Sequence, residues 1–129
     1  MARKRKKMTP KKVKIGYLDF KINPKTRKWG TRHKALGMIV PESKNISYDK
    51  TQNVCELPNT ILHEILHGIA YVFDINFPND NIEEKIIWKM ANGLCTVFKD
   101  NPSLLEWIQY RLEQDSDKTT TIPKPSPKK

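Results

Sequence analysis

The run His63-Glu64-Ile65-Leu66-His67 constrains this chain more than any other feature, because its two histidines meet on one side only if the residues around them are helical. Side chains four apart on a helix stand one turn above each other, so two imidazoles can reach one tetrahedral metal at about 2.0–2.1 Å. Glu64 lies about 100° around from His63, close enough to touch a metal-activated water without ligating the metal. With His63 at 0°, His67 falls near 40°, Thr60 near 60° and Tyr71 near 80°, whereas Leu62, Ile65, Leu66, Ile69, Val72 and Phe73 fall between about 180° and 300°. One helix therefore presents a polar stripe to a cleft and an apolar stripe to a core. The chain has only three histidines, which weighs against two incidental histidines and a solvated glutamate.

A catalytic zinc site uses three protein ligands and keeps an open position, so the motif requires one more donor. His33, between Arg32 and Lys34, reads as a solvated imidazole. A metzincin would continue with glycine and histidine where this chain has Ala70 and Phe73, which excludes that class. Glu83 and Glu84 remain, at the start of the next helix. Glu83 can instead complete a capping box with Asp80. Glu84 shares a stripe with Ile87, Ala91, Leu94 and Phe98, which turns its carboxylate toward the histidines. Glu84 is the preferred third ligand and Glu83 the alternative. Tyr71, one turn past His67, can donate to a developing oxyanion or simply pack as a half-buried tyrosine.

Around this helix the pattern predicts an α+β fold with a small antiparallel sheet of about three strands. The strands are Val13–Ile22, ended by Asn23-Pro24; Ala35–Val40, closed by Pro41 and preceded by a basic turn through Trp29-Gly30; and Asn45–Asp49. The motif helix is expected from about Pro58 to Phe73, with Asn59 or Thr60 serving its exposed amides. A second helix follows Pro78-Asn79-Asp80 and stops at Asp100, and a third covers Leu104–Glu113. Trp29, Trp88 and Trp107 read as packing residues. Cys55 and Cys95 read as buried, reduced thiols of a cytoplasmic protein rather than a disulfide framework.

At this point the chain resembles a family. His63-Glu64-Ile65-Leu66-His67, an acidic pair downstream and Met90-Ala91-Asn92-Gly93-Leu94 look like the small ImmA/IrrE-type metallopeptidases of bacteriophages and mobile elements. The resemblance covers residues of about 35–112. It implies a zincin-like minimal core and a gluzincin-type zinc metallopeptidase. In that reading Zn²⁺ sits on His63, His67 and Glu84, with Glu64 as general base and a protein or peptide as substrate. A phage-encoded protein would work in the host cytoplasm.

Charge separates the chain into three parts. The sequence carries 24 Lys and Arg against 14 Asp and Glu, a net charge of +10. Residues 1–14 hold eight basic and no acidic side chains, residues 118–129 four and none, and the span between is close to neutral. This predicts a disordered basic arm over 1–12, a metallopeptidase domain over 13–114 and a disordered Pro/Lys-rich tail over 115–129. The arms can bind nucleic acid weakly by counterion release or serve only solubility. No apolar segment follows the basic N-terminus and no run reaches membrane-spanning length, so neither a secretory signal nor a membrane partner is expected. The rival to an enzyme is a catalytically silent, zinc-stabilised module that binds nucleic acid or protein through its basic tails.

Overall fold

The computed structural model describes residues 8–116. Most of the expected basic arm (1–7) and of the Pro/Lys-rich tail (117–129) lies outside the described residues. The elements in order are β1 (Lys12–Ile15), β2 (Leu18–Lys25), α1 (Arg27–His33), β3 (Gly37–Val40), a short 3₁₀ turn at Pro41–Ser43, β4 (Asn45–Asp49), α2 (Leu57–Val72), α3 (Asp80–Asp100) and α4 (Pro102–Ser116). Lys12 thus already belongs to the sheet, and α4 takes the first two residues of the expected tail. One compact unit ends at Gly93 and a second begins at Leu94, so α3 runs from the first into the second.

The fold is α+β, with four helices and a small four-stranded sheet among the described residues. Two features of the sheet differ from the sequence reading. The run Val13–Ile22 is a hairpin rather than one strand, because Gly16 adopts φ +62 and reverses the chain within two residues. A Cβ at Gly16 would also come 2.7 Å from Val72 Cγ1, so the turn sits tightly against the end of α2. The sheet is also mixed rather than antiparallel. Its order is β1-β2-β4-β3, with β2 and β4 parallel and the outer pairs antiparallel.

Pro24 lies inside β2 instead of ending it. The β2 donors alternate sides: Lys21 N–H donates to Lys44 O and Ile22 N–H to Lys11 O. That alternation turns the Pro24 nitrogen to the β1 side, beyond the reach of β1, where no ladder donor is lost. The basic turn is also more ordered than expected. It is helix α1, capped by Thr26 Oγ1, which accepts from Trp29 N–H, and closed by Lys34 in the left-handed region at φ 53.

The core forms between one face of the sheet and α2. Ile15, Phe20, Ile22, Ile46 and Tyr48 bury there with Ile61, while Ile65, Ile69 and Val72 pack against them. The buried stripe of α2 is therefore centred nearer Ile61, Ile65 and Gly68 than Leu62, Leu66 and Phe73, and Phe73 is 45 % exposed. Gly68 accounts for this rotation: a Cβ there would stand 2.8 Å from Ile15 Cδ1, so the helix approaches the sheet along its bare side. Pro58 lies in the first turn of α2, but no side chain caps that end; Thr60 Oγ1 donates to Gln52 Oε1 instead, and Asn59 bonds Asn92.

The expected packing tryptophans are largely outside. Trp88 is 56 % and Trp107 60 % exposed, with only Trp29 half-buried. Both cysteines are free, Cys55 exposed and Cys95 half-buried, so neither is the fully buried thiol anticipated. In the second unit Pro102 opens α4, and Asn101 joins it to α3 by donating from Nδ2 to Val97 O and accepting from Leu104 N–H at its carbonyl. Among the described residues no helix is long and apolar enough to cross a membrane.

Candidate metal centre and cleft

His63 and His67 project from α2 one turn apart, their ring centroids separated by 4.9 Å and their planes at 63°. The two Nε2 atoms stand 3.2 Å from each other. Glu84, just past the first turn of α3, bridges them: Oε2 is 2.9 Å from His63 Nε2 and Oε1 3.0 Å from His67 Nε2. Four ligands at 2.0–2.1 Å around a tetrahedral zinc lie about 3.3 Å apart, so this spacing fits that ion with little adjustment. Among the described residues these three are the group whose donor atoms all come within 4.8 Å of one another.

Glu83 takes a different nitrogen. His67 Nδ1–H donates to Glu83 Oε2 at 2.8 Å, leaving Nε2 to face Glu84. The capping box anticipated from Asp80 and Glu83 does not form. Asn79 caps α3 instead, its Oδ1 accepting from Ile82 N–H at 2.9 Å and its carbonyl from Glu83 N–H. Starting the cap one residue earlier frees the Glu83 side chain, and the two consecutive glutamates then bracket one imidazole. Polar contacts to α2 from Glu83, Glu84 and Asn92 thereby hold the first half of α3 in place.

Glu64 faces the same space and is 7 % exposed. Burial pushes its carboxyl up to about 7; the charge of Glu84 adds to that and the charge of His67 opposes it. Burial also lowers the pKa of His63, with the charge of Glu84 working against the shift, so the neutral, metal-binding imidazole is favoured. Gly37 on β3 makes room for the carboxylate. A Cβ there would meet Thr60 Cγ2 at 2.6 Å and Glu64 Oε2 at 3.1 Å.

The cleft has two arms that share Ala35, Gly37, His63, Glu64 and Glu84. The larger, about 970 Å³, is lined by Met38 and Ile39 of β3 and by Tyr71, Asp74 and Asp80 on the helical side. Six of its lining side chains are acidic and none is Lys or Arg. The smaller, about 560 Å³, runs past Asn59, Trp88 and Asn92. Tyr71 is 48 % exposed on the larger arm, consistent with its place on the polar stripe. His33 lies apart on α1, where its Nδ1–H donates to Trp29 O.

The structure thus brings His63, Glu64, His67, Glu84 and Tyr71 to one cleft. Sequence reasoning missed the bond from Glu83 to His67 and the space at Gly37. The first had a signal in Asn79, a side chain that caps as well as aspartate does and stands one residue ahead of Asp80. The second had none. In comparisons with known proteins, no family model, no curated protein and no solved structure matches this chain.

Proposed function

We propose that the chain is a zinc-dependent metallopeptidase of the gluzincin type, similar to the small ImmA/IrrE-type enzymes of phages and mobile elements. The observation that carries the reading is the convergence of His63 Nε2, His67 Nε2 and the Glu84 carboxylate to within 3.2 Å, beside the buried carboxyl of Glu64. His63, His67 and Glu84 hold the ion, which when bound supplies Lewis acidity toward water and an amide carbonyl.

The remaining work falls to the chain's own side chains. Glu64, a buried carboxyl beside the three donors, takes a proton from the attacking water and delivers it to the leaving amine. Glu83 fixes the tautomer of His67 by accepting at Nδ1, which keeps Nε2 free for ligation. Tyr71 reaches the cleft from the turn after His67 and donates to the oxyanion as it develops. The acidic lining of the larger arm favours peptide segments that carry Lys or Arg.

The test pairs metal content with cleavage. Purified protein should carry about one zinc per chain, and His63→Ala or His67→Ala should lose it. Glu64→Gln should keep the zinc and the fold yet lose cleavage of host-lysate proteins, read as new peptide ends by mass spectrometry, by roughly 10²–10⁴-fold. Identical cleavage profiles with zinc bound in both proteins would make the metal structural and the protein a binding module.

A further inference from the structure

The pleat sends the two sides of the sheet to different chemistries. Val13, Ile15, Phe20, Ile22, Ile46 and Tyr48 point to α2. Their alternating neighbours point the other way, and the register places Lys12 beside Lys21, Lys14 beside Asp19 and Lys25 beside Asp49. The outer face therefore carries the four lysines Lys12, Lys14, Lys21 and Lys25.

Helix α1 extends this face. It follows directly on Lys25, and its Gly30 abuts the Asp49 carboxylate, where a Cβ would come 2.6 Å from Oδ2. Arg27, Lys28, Arg32 and Lys34 are all exposed. Only two acidic side chains lie among these eight cations, Asp19 and Asp49, and Asp49 is buried with Oδ1 accepting from Thr51 N–H and Thr51 Oγ1. Among the described residues none of the eight stands within 4.0 Å of a carboxylate oxygen.

We infer that this outer face, extended by α1, docks the phosphate backbone of duplex DNA. A rigid sheet holds cations two residues apart along a strand and about 4.8 Å apart between strands, with no loop to order on binding. The middle of the face is Asn23, Asn45 and Ser47, polar and uncharged, so it suits phosphate and sugar. A membrane-seating element would instead show a continuous apolar wedge; on this side the apolar side chains are Met38 and Val40 on β3, at the opposite edge of the sheet from β1, and the half-buried Trp29 of α1. Of the eight cations Lys34 alone also lines the cleft, at its smaller arm, and none of the substitutions in the test touches it; the inference stands whether or not the cleft is catalytic.

The test uses the full chain and a fluorescent duplex DNA, titrated over a salt series by anisotropy. Each phosphate contact contributes about 0.9 to the slope of log K against log salt. Lys21→Gln and Arg32→Gln, both at exposed positions, should each lower the slope by about 0.9, and the combination of Lys14, Lys21, Arg27 and Arg32→Gln by about 3 to 4. Lys21→Arg should restore wild-type binding. Replacing Arg3, Lys4, Arg5, Lys6 and Lys7 by glutamine should leave the contribution of the face in place. The inference is overturned if variants with unchanged melting temperature keep the wild-type slope, or if the arm substitutions alone abolish binding. Capture by phosphatidylserine vesicles with no affinity for DNA would overturn it equally.

Discussion

Glu83 and Glu84, adjacent in the chain, address opposite nitrogens of the same ring: Glu83 Oε2 lies 2.8 Å from His67 Nδ1 and Glu84 Oε1 3.0 Å from His67 Nε2. Residues next to each other on a helix point about 100° apart, which is wide enough to straddle an imidazole. On the proposed zinc reading the pair divides into a ligand, Glu84, and a support for a ligand, Glu83.

That division predicts two grades of zinc loss. Glu84→Gln should abolish stoichiometric zinc, whereas Glu83→Gln should weaken affinity about 10–100-fold, as for other carboxylates behind a metal-bound histidine. Competition against a chromophoric chelator measures both. Stronger loss from Glu83→Gln would exchange their roles.

Asn79 should matter to fold and metal together. Its side chain caps α3 immediately before both glutamates, so Asn79→Ala should destabilise the protein by about 1 kcal/mol and also weaken zinc binding. Urea denaturation and the same chelator titration give the two numbers. An Asp80→Ala variant more damaging than Asn79→Ala would return the cap to Asp80.

Gly37→Ala isolates the position of Glu64. The added methyl meets Thr60 and the Glu64 carboxylate, and overpacking of this kind costs about 1–3 kcal/mol. Zinc should stay bound, since none of the three donors is touched, while peptide cleavage falls. Full activity in the alanine variant would show that Glu64 does not need its present place.

The metal-free protein should reveal Glu64 through pH. Burial raises its carboxyl from an ordinary 4.5 to about 7, so between these values the folded state keeps a proton that the unfolded state has released. Stability must then fall as pH rises through that window, by up to roughly 3 kcal/mol at about 1.4 kcal/mol per pK unit. His63, whose pKa is lowered chiefly by burial, contributes the opposite slope. The quantity to measure is therefore the difference between wild type and Glu64→Gln, by denaturation of chelator-treated protein at several pH values. Parallel stability curves would contradict the buried carboxyl.

The features read correctly from the sequence are those set by local spacing. Asn45–Asp49 is a strand with the bounds its turn residues suggested, the second long helix stops at Asp100 as expected but begins at Asp80 rather than after it, and α2 begins and ends one residue early. The meeting of His63, His67 and Glu84 was expected from the spacing of the two histidines, from the gluzincin arrangement of a glutamate on the following helix, and from the stripe that set Glu84 ahead of Glu83. Other features depended on something periodicity does not carry. The turn at Gly16 interrupts an alternation that continues on both sides of it, and a lone glycine was the only sign. Helix α1 has no apolar stripe, being fixed by its Thr26 cap and left-handed Lys34, so a reading by hydrophobic pattern passes over it. The parallel pairing of β2 with β4 is a relationship between distant segments and leaves no mark in either. Glu83 was misplaced by a single residue of helix phase, since capping from Asn79 rather than Asp80 turns its side chain from the backbone to the ring.

The strand order also bears on how the chain assembles. β4 is the last strand in sequence but lies between β2 and β3, so hairpin β1-β2 and strand β3 are made before the neighbour they share. A two-stranded hairpin is marginal in water, and β3 alone has nothing to pair with. Closure waits for Asn45–Asp49 to enter the gap, with α2 following within a few residues to cover the apolar side. Sheet and α2 are therefore expected to form together rather than by accretion. A chain cut before Asp49 would be left with two unsealed edges open to pairing with other chains.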